Sequence, residues 1–216
     1  MENFLERILN LFFPKRCINC QQLGSYLCYD CFSLIEIMQK EYDLPEDIQY
    51  LDRLFFATVF KNQIVKKLIH NYKYPPFINE LSNILSDMII VHLTFIGMKS
   101  QLSDFILAPI PISKKRLNYR GFNQAEELAK KLSLRLNLKT KNVLIKTRET
   151  DSQVDLDKDQ RKKNIENVFS LAEDIKGKNI LLIDDVFTTG ATIDEAARIL
   201  KQNGAKQVWA AVVARE

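Results

Sequence analysis

Residues Asn179–Thr192 read NILLIDDVFTTGAT. Ile180, Leu181, Leu182 and Ile183 form an unbroken apolar run, as a strand buried on both faces of a parallel sheet requires. Asp184 and Asp185 sit where that strand is expected to end. A short loop of small and hydroxyl residues follows, and a helix is expected to begin near Thr192. In open α/β sheets this is where ligands bind, outside the carboxyl ends of the strands. A helix start leaves backbone N–H groups unpaired and carries a partial positive charge, which suits a phosphate. Gly190 lets the backbone approach a ligand and take a positive φ at little cost. Thr188, Thr189 and Thr192 supply hydroxyl donors. The adjacent carboxylates would repel a phosphate but can accept hydrogen bonds from sugar hydroxyls. One ligand satisfies both halves, a sugar with a phosphate at one end. The plainer alternative is a strand, a turn and a helix cap with no ligand. The full order of strand, acid pair, hydroxyl turn and helix is more specific than any of its parts.

The run IDDVFTTGAT resembles the 5-phosphoribosyl-1-pyrophosphate (PRPP) signature of the type I phosphoribosyltransferases. The resemblance implies that Asp184 and Asp185 hold the ribose hydroxyls. It implies that Thr188, Thr189, Gly190, Ala191 and Thr192 cup the 5'-phosphate. Relatives that salvage 6-oxopurines carry an Asp where this chain has Thr188, which counts against purine salvage. The implied reaction displaces pyrophosphate from C1 of PRPP by a nitrogen nucleophile, through a transition state like an oxocarbenium ion. Magnesium would bridge pyrophosphate and ribose oxygens. The protein would mainly position the reactants and stabilise the leaving charge. No residue presents itself as a base for an acceptor, so transfer is an inference from fold.

Two more segments narrow the family. Ala108–Leu132 reads APIPISKKRLNYRGFNQAEELAKKL, and Arg148–Phe169 reads RETDSQVDLDKDQRKKNIENVF. With the signature loop and a cysteine-rich start, they resemble the ComF competence family, comprising ComFC and its GntX-like relatives. The RGFNQ core and the spaced Arg148, Thr150, Gln153, Leu156, Arg161 and Asn164 are the specific parts. The family implies a role in natural transformation, handling incoming single-stranded DNA on the cytoplasmic side. By the same resemblance, the stretch from Thr150 to Asn164 matches the loop that closes over PRPP, with Arg161 and Lys163 contacting pyrophosphate. A surface helix with i,i+4 ion pairs is the competing reading. Ser113 and Lys114, just after a strand end, lie where the family binds pyrophosphate.

All four cysteines fall in one pattern, Cys17-x2-Cys20-x7-Cys28-x2-Cys31. Two facing CxxC knuckles can place four thiolates tetrahedrally around a structural Zn2+. Two disulfides or a redox pair are the alternatives. The acidic Glu2 and Glu6 argue against a secretory signal, so reduced thiols are expected. The implied zinc site is closed, and metal is expected to supply much of the module's folding energy.

The expected fold is α/β: a parallel-sheet, type I phosphoribosyltransferase-like domain over residues 51–216. A small four-cysteine, zinc-ribbon-like module with an amphipathic leader precedes it, over residues 1–50. Expected strands lie at 54–60, 105–108, 143–145, 167–171, 179–184 and 208–213. Expected helices lie at 62–71, 79–91, 121–136 and 192–203. With 46% hydrophobic and 27% charged residues, the composition is that of an ordinary globular protein. A net charge of +4 does not by itself announce nucleic acid. The clusters Lys114, Lys115, Arg116, Arg120 and Lys158, Arg161, Lys162, Lys163 suit pyrophosphate, DNA phosphates or solvent alike. Tyr72, Tyr74 and Tyr119 lie near basic residues and could stack bases, although core packing is commoner for tyrosines. The run Met88–Met98 is too short to span a membrane and reads as a buried helix, with His92 in its core. The leader's Phe4, Leu5, Ile8, Leu9 and Phe12 suit packing on a neighbouring domain, with a membrane or partner as the minority reading. The expected partners are PRPP or a phosphate ligand, single-stranded DNA and other competence proteins. The expected location is the cytoplasm, with the inner face of the membrane as a second place.

Overall fold

The computed structural model describes residues 14–149 and 165–216. The amphipathic leader and the segment Thr150–Asn164, which includes Arg161 and Lys163, lie outside the described residues.

Five parallel strands form the main sheet: β1 (Arg53–Val59), β2 (Phe105–Pro109), β3 (Lys139–Thr140), β6 (Asn179–Phe187) and β7 (Gln207–Arg215). Their order is β1-β7-β6-β2-β3. Strands β4 (Leu144–Lys146) and β5 (Phe169–Leu171) pair antiparallel outside it. The helices are α1 (Tyr29–Ser33), α2 (Gln63–Lys73), α3 (Leu81–Phe95), α4 (Lys114–Arg120), α5 (Gln124–Leu136) and α6 (Ala191–Gln202).

The period-2 alternation of the strands divides the core in two. Leu107, Leu181, Ile183, Trp209 and Ala211 face a layer built by α2, α3 and α5. Ala108, Ile180, Leu182, Ala210 and Val212 face a layer built by α6 and the β4–β5 pair. The chain leaving β2 enters α5 on the first face, and the chain leaving β6 enters α6 on the second. Adjacent strands whose connections part to opposite faces open a crevice between their carboxyl ends.

Two expectations need correction. The helix expected over 121–136 begins later, at Gln124, and a separate short helix, α4, ends just before it at Arg120. Gly121 takes φ +79° and ends α4, and Asn123 then caps α5 by accepting from the Ala125 N–H at 3.1 Å. The strand expected to stop at the acids continues to Phe187, because Val186 and Phe187 still pair with Ala214 and Arg215. The basic run after β2 forms α4, with Ser113 as its N-cap.

The cysteine region shares the first core layer. Cys17, Leu27, Cys31 and Ile35 are buried in the same cluster as Ile64, Val65 and Leu68 of α2. The connection to β1 is also docked: the N–H groups of Gln49 and Tyr50 donate to Asp194 Oδ1 at 3.0 and 2.8 Å. His92 is buried in α3, with Nδ1 2.7 Å from the Met38 carbonyl oxygen, and burial lowers its pKa. Among the described residues no helix is long and apolar enough to cross a membrane.

Candidate functional site

At the crevice between β2 and β6 lies a cavity of about 560 Å³. Asp184, Asp185 and the whole of Thr188–Thr192 line it. So do Ile110, Pro111 and Ile112 after β2, and residues of α2, α4, α5 and β4. The acid pair and the hydroxyl loop therefore meet in one space. Ser113 and Lys114 do not join them. Ser113 is buried and accepts from the Arg116 N–H at 3.4 Å, and neither residue is among those lining the cavity.

The two acids differ in environment. Asp185 is 4% exposed, and its Oδ1 lies 2.9 Å from Lys73 Nζ at the end of α2. Asp184 is half-buried and accepts from the Asp185 N–H at 2.8 Å. Burial and the Asp185 charge push its pKa up to about 7, against the pull of Lys73. Lys146, at the end of β4, is drawn down to about 8 by burial and the nearby Arg116. Asp184 and Asp185 are the only carboxylates lining the cavity among the described residues, against six Lys or Arg. The interior is thus net positive, as a polyanionic sugar phosphate requires.

The loop is shaped by Gly190. Its φ is +78°, and a Cβ there would land on the Phe187 ring and on Ile48 Cδ1. Gly190 is also the N-cap of α6 and offers no side-chain cap, and the Ala191 N–H donates to Thr189 Oγ1 at 3.5 Å. Asp194, in the first turn of α6, is committed to Gln49 and Tyr50.

The RGFNQ run builds the opposite wall, one residue at a time. Arg120 lines the cavity, donates to Gln124 Oε1 at 2.9 Å and lies 5.9 Å from the Tyr74 ring. Gly121 makes the left-handed stop, and Phe122 packs 5.5 Å from Tyr72. Asn123 caps α5 while its Nδ2 donates to the Ile110 carbonyl at 3.1 Å, tying the helix to the β2 end. Gln124 is clasped to Tyr72: the tyrosine hydroxyl donates to the Gln124 carbonyl at 2.8 Å, and Gln124 Nε2 donates to the Tyr72 carbonyl at 3.3 Å. Burial raises the Tyr72 pKa, so the hydroxyl stays protonated as that donor. Sequence reasoning recognised this run without assigning its parts, and it missed Lys73 and Lys146. Nothing local marks those two lysines, because their place depends on how α2 and β4 pack.

Away from the cavity, Cys17, Cys20, Cys28 and Cys31 bring their sulfurs within 4.8 Å of one another. All four are free thiols. A tetrahedral Zn–S distance of about 2.3 Å sets sulfur–sulfur edges of about 3.8 Å. The cluster fits such a metal after a small contraction, and Cys20 and Cys28 already stand 3.5 Å apart. Burial pushes the Cys17 thiol up, but the Cys20, Cys28 and Asn19 backbone groups outweigh it and bring it to about 6. The left-handed Gly24 and the Arg16–Leu23 bridge turn the first knuckle back. The cluster can hold a metal such as zinc.

The chain is similar to several known proteins. A model of the phosphoribosyl transferase domain matches residues 117–216. The chain is 34% identical over 147 residues to the DNA utilization protein YhgH of Escherichia coli O6:H1, covering 66% of this chain and 64% of that protein. It thus spans just under two thirds of that relative's length. It is 35% identical over 109 residues to Competence protein F of Haemophilus influenzae, covering 48% of each chain. It is 39% identical over 106 residues to Competence protein ComFC of Bacillus subtilis, covering 46% of this chain and 40% of that one. Against the solved purine phosphoribosyltransferase of Pyrococcus horikoshii the TM-score is 0.36 at 16% identity, covering 61% of this chain and 83% of that one.

Proposed function

We propose that this chain is a ComF-type phosphoribosyltransferase-like protein whose PRPP-type binding site serves the handling of single-stranded DNA in natural transformation. The observation that carries the first half is the meeting of Asp184, Asp185 and the Thr188–Thr192 loop in one cavity of about 560 Å³. The loop backbone and hydroxyls take the 5'-phosphate, and the two carboxylates take the ribose hydroxyls. Arg116, Arg120 and Lys146 offer positive charge to the pyrophosphate. Asp184 and Asp185 would hold a magnesium ion, which would supply positive charge to the leaving pyrophosphate. Support for the second half comes from relatives named for competence and DNA utilization, and from the basic lining. A zinc ion on the four cysteines belongs to the same reading, as does a cytoplasmic location.

Calorimetry with PRPP and magnesium tests the site. The wild-type chain should bind, and the double variant Asp184→Asn with Asp185→Asn should not, while circular dichroism shows both folded. Equal affinity of the two would remove the assignment. Salt-steep binding of single-stranded DNA tests the second half.

A second reading, an active transferase, is favoured by the cavity's extension past the acids along α2. There the C1–O bond to pyrophosphate would break, its electron pair leaving with pyrophosphate. A nitrogen of the acceptor would bond to C1 and release its proton to solvent. Pyrophosphate release that depends on an added acceptor is the test.

A further inference from the structure

The part of the cavity that runs along α2 differs in chemistry from the part around the acids. Helix α2 is amphipathic. Ile64, Val65, Leu68, Ile69 and Tyr72 are buried, while Lys66, Lys67 and His70 are exposed. Lys66 and His70 stand at i and i+4 on one face of the helix, Tyr74 follows as its extended C-cap with the ring against His70, and all three line the cavity. Both lining carboxylates stand at the end of β6, where Asp185 pairs with Lys73. Among the described residues Lys66 and Lys67 make no ion pair with a carboxylate.

Aromatic surface interleaves with these cations. Lys66 Nζ lies 5.9 Å from the Phe60 ring, and Phe60 also lines the cavity. The Tyr74 ring, 40% exposed, lies 5.1 Å from His70 at 33° and carries Arg120 above it. Cations for a phosphate beside a flat exposed ring for a base are the two needs of a nucleotide.

The face is held in place from both ends. Lys67 Nζ donates to Asn19 Oδ1 at 3.1 Å, and Asn19 Nδ2 donates to Cys31 Sγ at 3.4 Å. The cysteine cluster therefore reaches this helix through Asn19. At the other end the Tyr72–Gln124 clasp fixes α2 against α5.

We propose that the α2 half of the cavity, around Lys66, His70, Tyr74 and Phe60, binds a phosphorylated nucleoside beside the phosphoribosyl site. The phosphate sits at Lys66 and His70, and the base stacks at Tyr74. This names the class of the second ligand and rests on the PRPP reading for what lies next to it. A free mononucleotide and a nucleotide within a single strand share this chemistry.

The test titrates full-length chain with dTMP, with a short oligo(dT) and with PRPP plus magnesium, at about 0.15 M salt. It is repeated on Lys66→Ala with His70→Ala, both exposed positions, with the melting temperature as folding control. The wild type should bind dTMP or oligo(dT). The double variant should lose about tenfold or more of that affinity, a size expected for two lost phosphate contacts. It should keep its PRPP affinity. Loss for both probes supports the shared chemistry, and loss for one alone supports that source. Tyr74→Ala should weaken the same probes, and Tyr74→Phe should restore them. The proposal is overturned if neither probe binds the wild type, or if the variants bind as well as it does. Nucleotide binding that the variant loses, in a chain that never binds PRPP, would sink the PRPP reading and leave this one standing.

Discussion

Asp184 and Asp185 are neighbours in sequence with different electrical lives. Lys73 neutralises Asp185 at 2.9 Å, while burial beside that charge pushes Asp184 up to about 7. A sugar hydroxyl is best accepted by an ionised carboxylate. Binding of ribose 5-phosphate without magnesium should therefore strengthen several-fold from pH 6 to pH 8, and calorimetry on Asp184→Asn should show that Asp184-dependent part gone. The stability sign runs the other way. A carboxyl raised in the fold contributes stability fully below its unfolded pKa, and loses it as pH rises through about 7. The ligand-free wild type should lose stability relative to Asp184→Asn over that window, as read by denaturant melts. Gly190→Ala is the sharper lesion. It combines a φ of +78° with overlap on Phe187 and Ile48, and should abolish PRPP binding in the same assay. The acid pair and the hydroxyl turn were legible in the sequence because their chemistry is local. The Lys73 partnership was not, since 112 positions separate the two residues and only the packing of α2 brings them together.

Among the elements, α2 and α5 matter most, because they wall the cavity and are fastened at one clasp. Tyr72 is fully buried, and its hydroxyl donates to the Gln124 carbonyl at 2.8 Å. Tyr72→Phe removes one of two bonds to that carbonyl, which α5 still pairs within the helix, and should cost about 0.5–1.5 kcal/mol by urea unfolding. Alternation of strands with helices was readable from hydrophobic period alone, and most elements lie within a few residues of their expected places. The short helix α4 was not expected, because Lys114–Arg120 buries no residue and so carries no apolar period to mark it. The short β3 and the extension of β6 to Phe187 were hidden for another reason. Strand pairing there is decided by neighbours far along the chain, Ile106–Leu107 for β3 and Ala214–Arg215 for β6.

Taken whole, the chain joins its cysteine cluster to the core that supports the cavity. Composition and spacing suggested a small module that precedes a larger domain. The packing puts Cys17 and Cys31 in one apolar layer with α2, and Asn19 links Cys31 to Lys67. Removal of a bound metal should therefore lower the melting temperature of the whole body and also weaken PRPP binding, as followed by calorimetry after chelation. Loss confined to residues before β1, with unchanged melting of the rest, would show the cluster to be independent. Elemental analysis should find about one zinc per chain. The most direct test of the phosphoribosyl site is a crystal structure grown with PRPP and magnesium. The account predicts the 5'-phosphate within hydrogen-bond reach of backbone N–H groups in the Thr188–Thr192 loop, and ribose hydroxyls on Asp184 and Asp185. PRPP held elsewhere, or those carboxylates turned away from the sugar, would contradict it.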